Sequence, residues 1–398
     1  MPLMRTLIVQ SKRHFIDWWL FVPMVLLLII GYIMVFSTTS FKGLSEFNDA
    51  YYFIKRHSFF LMGGMALFFI GAALPTKKIK HGALIGYALS IGLLLVTLIP
   101  SIGVQIGGAS RWLNVFGFQF QPVEVAKFWW VIAVSVVLSK KSNQIVTFLK
   151  GVSTNKKNDN KQAHRPKSWV QVVLNGVLPV VIVMVIPIFC MMLQPDLGNA
   201  ILTMSVGLSL LLISSVPMVV LVVAAMVSIG MVAYSIFTHD YQMQRIESFL
   251  NPWLDPLGTN YHIIQSFTAI GSGGWWGFGI GESRLKYFYL PLHYSDFIFS
   301  ILCEEGGLFL AVVVIMVFSA LFVRGIQISL KHPRYSFEQF AALALTLFLI
   351  GQAIINICVV IGLFPITGIP LTFISYGGSS LLSSMFCLGV LNGMGRGV

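Results

Sequence analysis

Long uncharged apolar runs separated by short polar breaks recur along almost the whole chain. Their lengths match a bilayer crossing of roughly 20 residues, and they lack the period-2 alternation of a barrel strand. Hydrocarbon offers the backbone no water, so such runs must satisfy their own peptide groups as helices. The pattern predicts an all-α polytopic membrane protein, one transmembrane domain over residues 1–398, with about ten spans. These fall at 18–38, 58–74, 84–101, 123–138, 169–191, 197–214, 217–237, 297–323, 338–361 and 372–393. The break at Gln194-Pro195-Asp196 is read as an outer turn, with a kink or a re-entrant turn as alternatives.

Two breaks are long and of opposite character. Residues 139–168 are polar and basic without apolar periodicity, which predicts a flexible cytoplasmic loop, either lying on anionic lipid or serving only as a linker. Residues 238–296 are rich in aromatics and glycine, including the run GSGGWWGFGIG at 271–281. A loop of that length with its own apolar content predicts a folded extracytoplasmic segment between the seventh and eighth spans. The glycine run follows no strand of a βαβ unit, so a nucleotide loop is rejected.

Charge sets the orientation. Eighteen Lys and Arg fall on the side of the N-terminal arm, the 75–83 and 139–168 loops, Arg324, Lys331, Arg334 and Arg396, against seven on the other side. The excess places both termini in the cytoplasm. The net charge of +12 is therefore a topology signal and not a nucleic-acid footprint. Only 10% of residues are charged while 57% are hydrophobic, so each charge near a span asks for a reason. Cys190, Cys303, Cys358 and Cys387 all lie in apolar runs without CxxC or His spacing, and read as packing. The first apolar run lacks a small-residue cleavage site and reads as a retained helix.

The densest chemistry lies at 281–305, GESRLKYFYLPLHYSDFIFSILCEE. Asp296 opens the eighth span close to Arg284 and Lys286. A carboxylate beside cations suits a general base next to an anionic leaving group; helix capping is the plainer alternative. Glu304 and Glu305 lie roughly 11 to 14 Å deeper along the helix, and at least one must face a polar interior or be protonated. Arg111 sits in an outer loop, and Glu124 and Lys127 follow three apart on one helical face. They read either as a structural ion pair or as the polar wall of a cavity for an anionic substrate. Asp196 reads equally as an N-cap. Arg245 carries a planar fork suited to a diphosphate oxygen, with a solvated surface arginine as alternative. His262 reads as packing. The stretch GLFPITGIPLTFISYGGSS at 362–380 is irregular backbone lining a cavity or simply a tight helix contact, and Ser379 within it is a candidate substrate contact.

These stretches in this order resemble the SEDS family (FtsW, RodA, SpoVE) of peptidoglycan polymerases. The likeness runs from about Asp17 to Gly395 through GGASRWLNVF with QPVEVAK, LQPDLG, YQMQR, FLNPWLDP, QSFTAI, GGWWGFGIGES with Lys286, YLP with SDFIF, EEGG and FPITGIPLTFISYGGSS. Gly281, Ser283, Lys286 and Tyr289-Leu290-Pro291 look more like the division and sporulation branch. The resemblance implies an inverting glycosyltransferase of the bacterial cytoplasmic membrane that joins lipid II into glycan strands at the outer face, for septal wall synthesis in division. It also implies a class B penicillin-binding protein and other divisome membrane proteins as partners. The family's essential Asp in the long outer loop matches Asp296, and its Glu and Lys in the fourth helix match Glu124 and Lys127. Asp296 would be the base, Arg245 and Lys286 the first diphosphate partners, and Arg111 and Lys127 would stand behind them. No metal-ligand spacing is visible, although a divalent cation, Mg or Mn, could share the diphosphate. The alternatives are a lipid II flippase, which needs polar groups reaching both faces, and a non-catalytic divisome scaffold, in which Asp296 is dispensable. The chain departs from the family at LPLHYSDF, where Leu292 replaces an acid and Tyr294 a His, and at Val123 and Thr372.

Overall fold

The computed structural model describes residues 15–106, 109–115, 118–153, 176–256, 258, 260–285 and 294–396. Of residues 105, 106, 109, 115 and 143–153 the backbone alone is described. The helices are α1 Trp18–Phe47, α2 Tyr52–Ala73, α3 Thr76–Val96, α4 Pro122–Ser153, α5 Leu178–Leu193, α6 Leu197–Ile213, α7 Met218–Thr238, α8 Asp240–Leu250, α9 Tyr261–Gly273, α10 Ile298–Lys331, α11 Phe337–Val360 and α12 Gly378–Gly395. Seven of them, α1 to α4, α7, α10 and α11, are long and apolar enough to cross a membrane, and α5 and α6 are shorter apolar helices. The protein is thus a polytopic bundle of helices with a few short strands, and α8 and α9 give the expected 238–296 loop its own structure.

Several boundaries differ from the sequence pattern: α1 runs on to Phe47 past the expected 38, α2 begins at Tyr52 and not at 58, α3 begins at Thr76 inside the expected 75–83 loop, and α10 runs to Lys331 and not to 323. Helix α4 runs on to Ser153, into the expected 139–168 loop, because Ile145, Val146, Phe148 and Leu149 keep a helical apolar spacing beyond the charges; residues 154–168 lie outside those described. The last helix starts at Gly378 and not at 372, because Gly368 and Phe373 both take positive φ and end any helical path through 362–377. Between α3 and α4 the chain forms an antiparallel meander of β1 Gly103–Ile106, β2 Ala109–Val115 and β3 Phe118–Phe120. Its register pairs Val104 with Trp112 and Leu113 with Phe120, with an irregularity between Val104 and Gln105. The meander presents Arg111 from β2.

Glycines set the closest helix contacts. A Cβ at Gly71 would lie 2.7 Å from the Phe386 carbonyl oxygen, and one at Gly389 would lie 2.2 Å from that of Phe68. The α2 and α12 backbones therefore touch directly, as small residues permit in membranes.

Helix α10 is broken at Gly307, whose φ of 65° and ψ of −171° no helix contains. The glycine-rich run after α9 fills the break with backbone bonds. Phe278 and Gly279 donate N–H to the carbonyls of Glu304 and Glu305 at 3.0 Å each, and Leu308 and Phe309 donate to Gly274 and Trp275 at 2.9 and 3.1 Å. A Cβ at Gly277 would lie 2.2 Å from the Glu305 carbonyl oxygen. The glycines serve this backbone contact, which repairs helical bonds that the break leaves unmade.

Candidate active site

Asp296 stands two residues before α10, half-buried. Burial pushes its carboxyl above the usual carboxylate range, while Arg245, a hydrogen bond with Ser295 and Arg111 pull the other way. Arg245, on α8, acts on it electrostatically. Its Nη1 donates to the Ile366 carbonyl at 2.7 Å, its Nη2 donates to the Tyr241 hydroxyl, and its guanidinium lies over the Tyr241 ring at 4.3 Å. Tyr241 is one turn earlier on α8, so the stacking pair is set by helical geometry. Burial lowers the guanidinium's proton affinity, Tyr241 raises it, Arg111 lowers it, and Asp296 raises it. One carboxylate and two arginines are thus within electrostatic reach of each other.

Behind Arg111 a polar chain runs into the bundle. Arg111 Nη2 donates to the Pro195 carbonyl, and its Nη1 lies 3.7 Å from Asp196 Oδ1. Asp196 caps α6, accepting from Asn199 N at 3.4 Å and from Asn199 Nδ2 at 2.9 Å. Asn199 Oδ1 accepts from Lys127 Nζ at 3.2 Å, and Lys127 pairs with Glu124 at 2.8 Å. Asp196 thus caps α6, as its place in the sequence allows, and also faces Arg111. Glu124 and Lys127 are only 2% and 4% exposed, and they line a small cavity of about 20 Å³ with Gln352, Ser383 and Cys387.

The remaining candidates are placed differently. Ser379 Oγ accepts from Gln121 N at 3.1 Å and donates to the Gln119 carbonyl at 3.4 Å, tying α12 to the start of α4. Lys286 and Leu292 lie outside the described residues. Arg284 sits over the Phe278 ring at 5.4 Å. Tyr294, at the family's His position, accepts from Lys42 Nζ at 3.2 Å and packs against Tyr376. Glu304 and Glu305 are buried and anchor the end of the long loop. Glu304 accepts from Ser283 Oγ and, at 3.0 Å, from Arg284 N; Glu305 accepts from Ser37 Oγ at 2.6 Å and from Ser283 N at 3.3 Å. His262 stacks on Phe297 at 6.1 Å, which is packing.

Sequence reasoning did not single out Asn199 or Tyr241. Tyr241 carried a signal in its i, i+4 spacing to Arg245; the partner of Asn199, Lys127, is 72 residues away and left none. Among the described residues no group of three or more His, Cys, Asp and Glu converges on a metal position.

Fold and site together define a polytopic helical membrane protein with one carboxylate set among arginines beside its long loop. The chain belongs to the FtsW/RodA/SpoVE family of cell cycle proteins, which matches residues 17–396. It is 33% identical over 373 residues to the probable peptidoglycan glycosyltransferase FtsW of Trichlorobacter lovleyi, covering 92% of this chain and 90% of that one. It is also 33% identical over 387 residues to stage V sporulation protein E of Bacillus subtilis, covering 97% and 98%. Among solved structures it shares its fold with a chain of a peptidoglycan synthase complex that coordinates polymerization and crosslinking, at a TM-score of 0.72, 24% identity and coverage of 96% and 98%. RodA of Thermus thermophilus matches at 0.65 and 22%, covering 96% and 97%.

Proposed function

We propose that the protein is a peptidoglycan glycosyltransferase that polymerises lipid II into glycan strands at the outer face of the cytoplasmic membrane, in the service of the division septum. The observation that carries this reading is Asp296, half-buried at a helix mouth under the charges of Arg245 and Arg111. The names of its relatives and its membership of the family support it.

Asp296 takes the proton from the 4-hydroxyl of a GlcNAc as that oxygen attacks the anomeric carbon of a MurNAc from the face opposite its diphosphate. The new C–O bond forms as the bond to the diphosphate breaks. The leaving group departs with the electron pair, and configuration inverts. Arg245 keeps N–H groups beyond the two bonded to Ile366 and Tyr241, and these meet the charge developing on the diphosphate; Arg111 and, from the adjacent outer segment, Lys286 reinforce them. Glu124 and Lys127 act from behind, through Asn199 and Asp196, by holding Arg111 in place. Ser379 acts at the rim by fixing the meander against α12. Both termini are cytoplasmic, as the loop charges favour. A class B penicillin-binding protein crosslinks the product strands, a pairing supported by the likeness to a chain of a synthase complex.

The test is labelled lipid II polymerisation by the full chain with its transpeptidase partner, wild type against Asp296→Ala. The variant is expected to make no glycan. Polymerisation at the wild-type rate refutes the mechanism, and transfer of lipid II across vesicles without glycan synthesis by either protein identifies a flippase.

A further inference from the structure

Three successive carbonyls leading into α10 are each held by a donor from elsewhere in the chain. Tyr294 O accepts from Tyr376 N at 3.0 Å, Ser295 O from Ser375 Oγ at 2.6 Å, and Asp296 O from Asn356 Nδ2 at 2.8 Å. Segments entering a helix near a membrane face can leave such carbonyls to water; here they are given to protein. Asn356 sits on α11, 1% exposed. The same amide nitrogen also donates to Ile369 O at 2.8 Å, so one side chain ties the Asp296 turn to the 366–369 bend.

That bend also carries the arginine. Its first residue, Ile366, gives its carbonyl to Arg245 at 2.7 Å. Between the two anchors Gly368 turns at φ 74°, and a Cβ there would stand 3.7 Å from Asp296 Oδ2. Ser375 Oγ, besides donating to Ser295, accepts from Leu371 N at 2.8 Å, closing the far side of the same irregular segment. The carboxylate and the guanidinium are thus referenced to one short stretch of backbone, at one end through Asn356 and at the other through Ile366.

The geometry points to Asn356 and Ser375 as positioning residues that set the separation between the Asp296 carboxylate and Arg245. This rests on Asp296 as the base. Neither side chain touches substrate in this scheme; each acts through the backbone that carries Asp296. The charged groups acting on Asp296 from the packed elements are Arg245 of α8, itself bonded to Tyr241, and Arg111 of β2, paired with Asp196 of the α6 cap. Helix α11 and the bend contribute an amide and backbone. If the clamp is loosened the carboxylate drifts from Arg245, loses part of its attraction and holds its proton to higher pH. The acid limb of the rate profile then moves upward, which a general loss of packing does not produce.

The experiment is glycan synthesis from labelled lipid II by the full chain with its partner, over a pH series, for Asn356→Leu, Ser375→Ala and Ser375→Thr, with Asp296→Ala alongside. The expected result is a kcat lower by about 10- to 100-fold for the first two, with KM held, the acid limb displaced to higher pH, and near wild-type behaviour in Ser375→Thr, which keeps the hydroxyl. Folded Asn356→Leu or Ser375→Ala protein with wild-type kcat overturns the proposal, as does a reduced kcat with an unmoved acid limb. Should Asn356→Leu fail to fold, Ser375→Ala decides by the same two readings. An active Asp296→Ala overturns the base assignment itself, whereas an inactive Asp296→Ala beside normal Asn356→Leu and Ser375→Ala overturns the clamp alone.

Discussion

Lys127→Met isolates the role of the charges inside α4. Lys127 Nζ lies 2.8 Å from Glu124 Oε1, the two side chains are 6% and 3% exposed, and the same nitrogen also serves Asn199. Methionine keeps the volume but leaves the Glu124 carboxylate buried without its cation, at a cost of about 3 to 5 kcal/mol. Glu124→Gln leaves the opposite charge unpaired and costs a similar amount. The double variant removes both charges; what it loses is the bond to Asn199 Oδ1, about 1 to 3 kcal/mol. Because each single change already includes the unpaired charge, the double variant should fall short of the sum of the singles by at least about 3 kcal/mol. Unfolding of the four proteins in mixed micelles titrated with SDS, followed by tryptophan fluorescence, measures this. A double variant as unstable as the two singles added, or a Lys127→Met that costs under about 1 kcal/mol, refutes the reading of a buried pair whose partners need each other.

Two further predictions concern Asp296 and the break in α10. The Asp296 carboxyl is raised by burial in the folded state, so its protonated form is the one folding favours. That stabilisation is full below the unfolded carboxylate pKa and is lost as pH rises through the folded value. At neutral pH the ionised group therefore weighs against the fold, and Asp296→Asn should melt higher than wild type while making no glycan; a lower melting point in thermal scans contradicts the sign. Gly307→Ala forces an L residue to φ 65° and ψ −171°, about 1 to 3 kcal/mol, and sets a Cβ 2.5 Å from Gly277 N and Trp275 O, which weakens the neighbouring backbone bonds by about 1 kcal/mol each. Thermal scans should show a lower midpoint with earlier proteolytic cleavage in the 274–285 segment, and an unchanged midpoint contradicts the account.

The spans were legible because hydrocarbon imposes both a length and an absence of charge, and few other environments impose either. Where charge continued but helix persisted, as in α4 beyond Ser139, polarity misplaced the boundary: a helix that leaves the bilayer keeps its backbone pattern. The meander went unseen because Arg111, Trp112, Leu113 and Asn114 do not alternate polar with apolar and lie in a short break between spans. Asp296 and Arg245 stood out as charges in an apolar chain, although a helix cap and a solvated surface arginine were open as explanations. Their supports were not: Asn199 and Asn356 make bonds across 72 and 60 residues, and nothing local in a sequence records such a partner. The use of Gly274, Gly277 and Gly279 was not legible, because it depended on a break in α10 that a continuous apolar run conceals.

That break also has a mechanical side. The stretch of α10 from Leu308 to Lys331 and the stretch that leads back to Asp296 lie on opposite sides of Gly307, and the glycine-rich loop joins them with two bonds to each side. The loop is thus a splint, and its register is counted in single residues. One residue inserted between Gly274 and Gly279 would move Phe278 and Gly279 off Glu304 and Glu305 while Gly274 and Trp275 stayed in place, so the two ends of the splint could not both be seated. A chain engineered with a tag or label in this region should carry it at 251–256, where no described backbone bond to α10 is made.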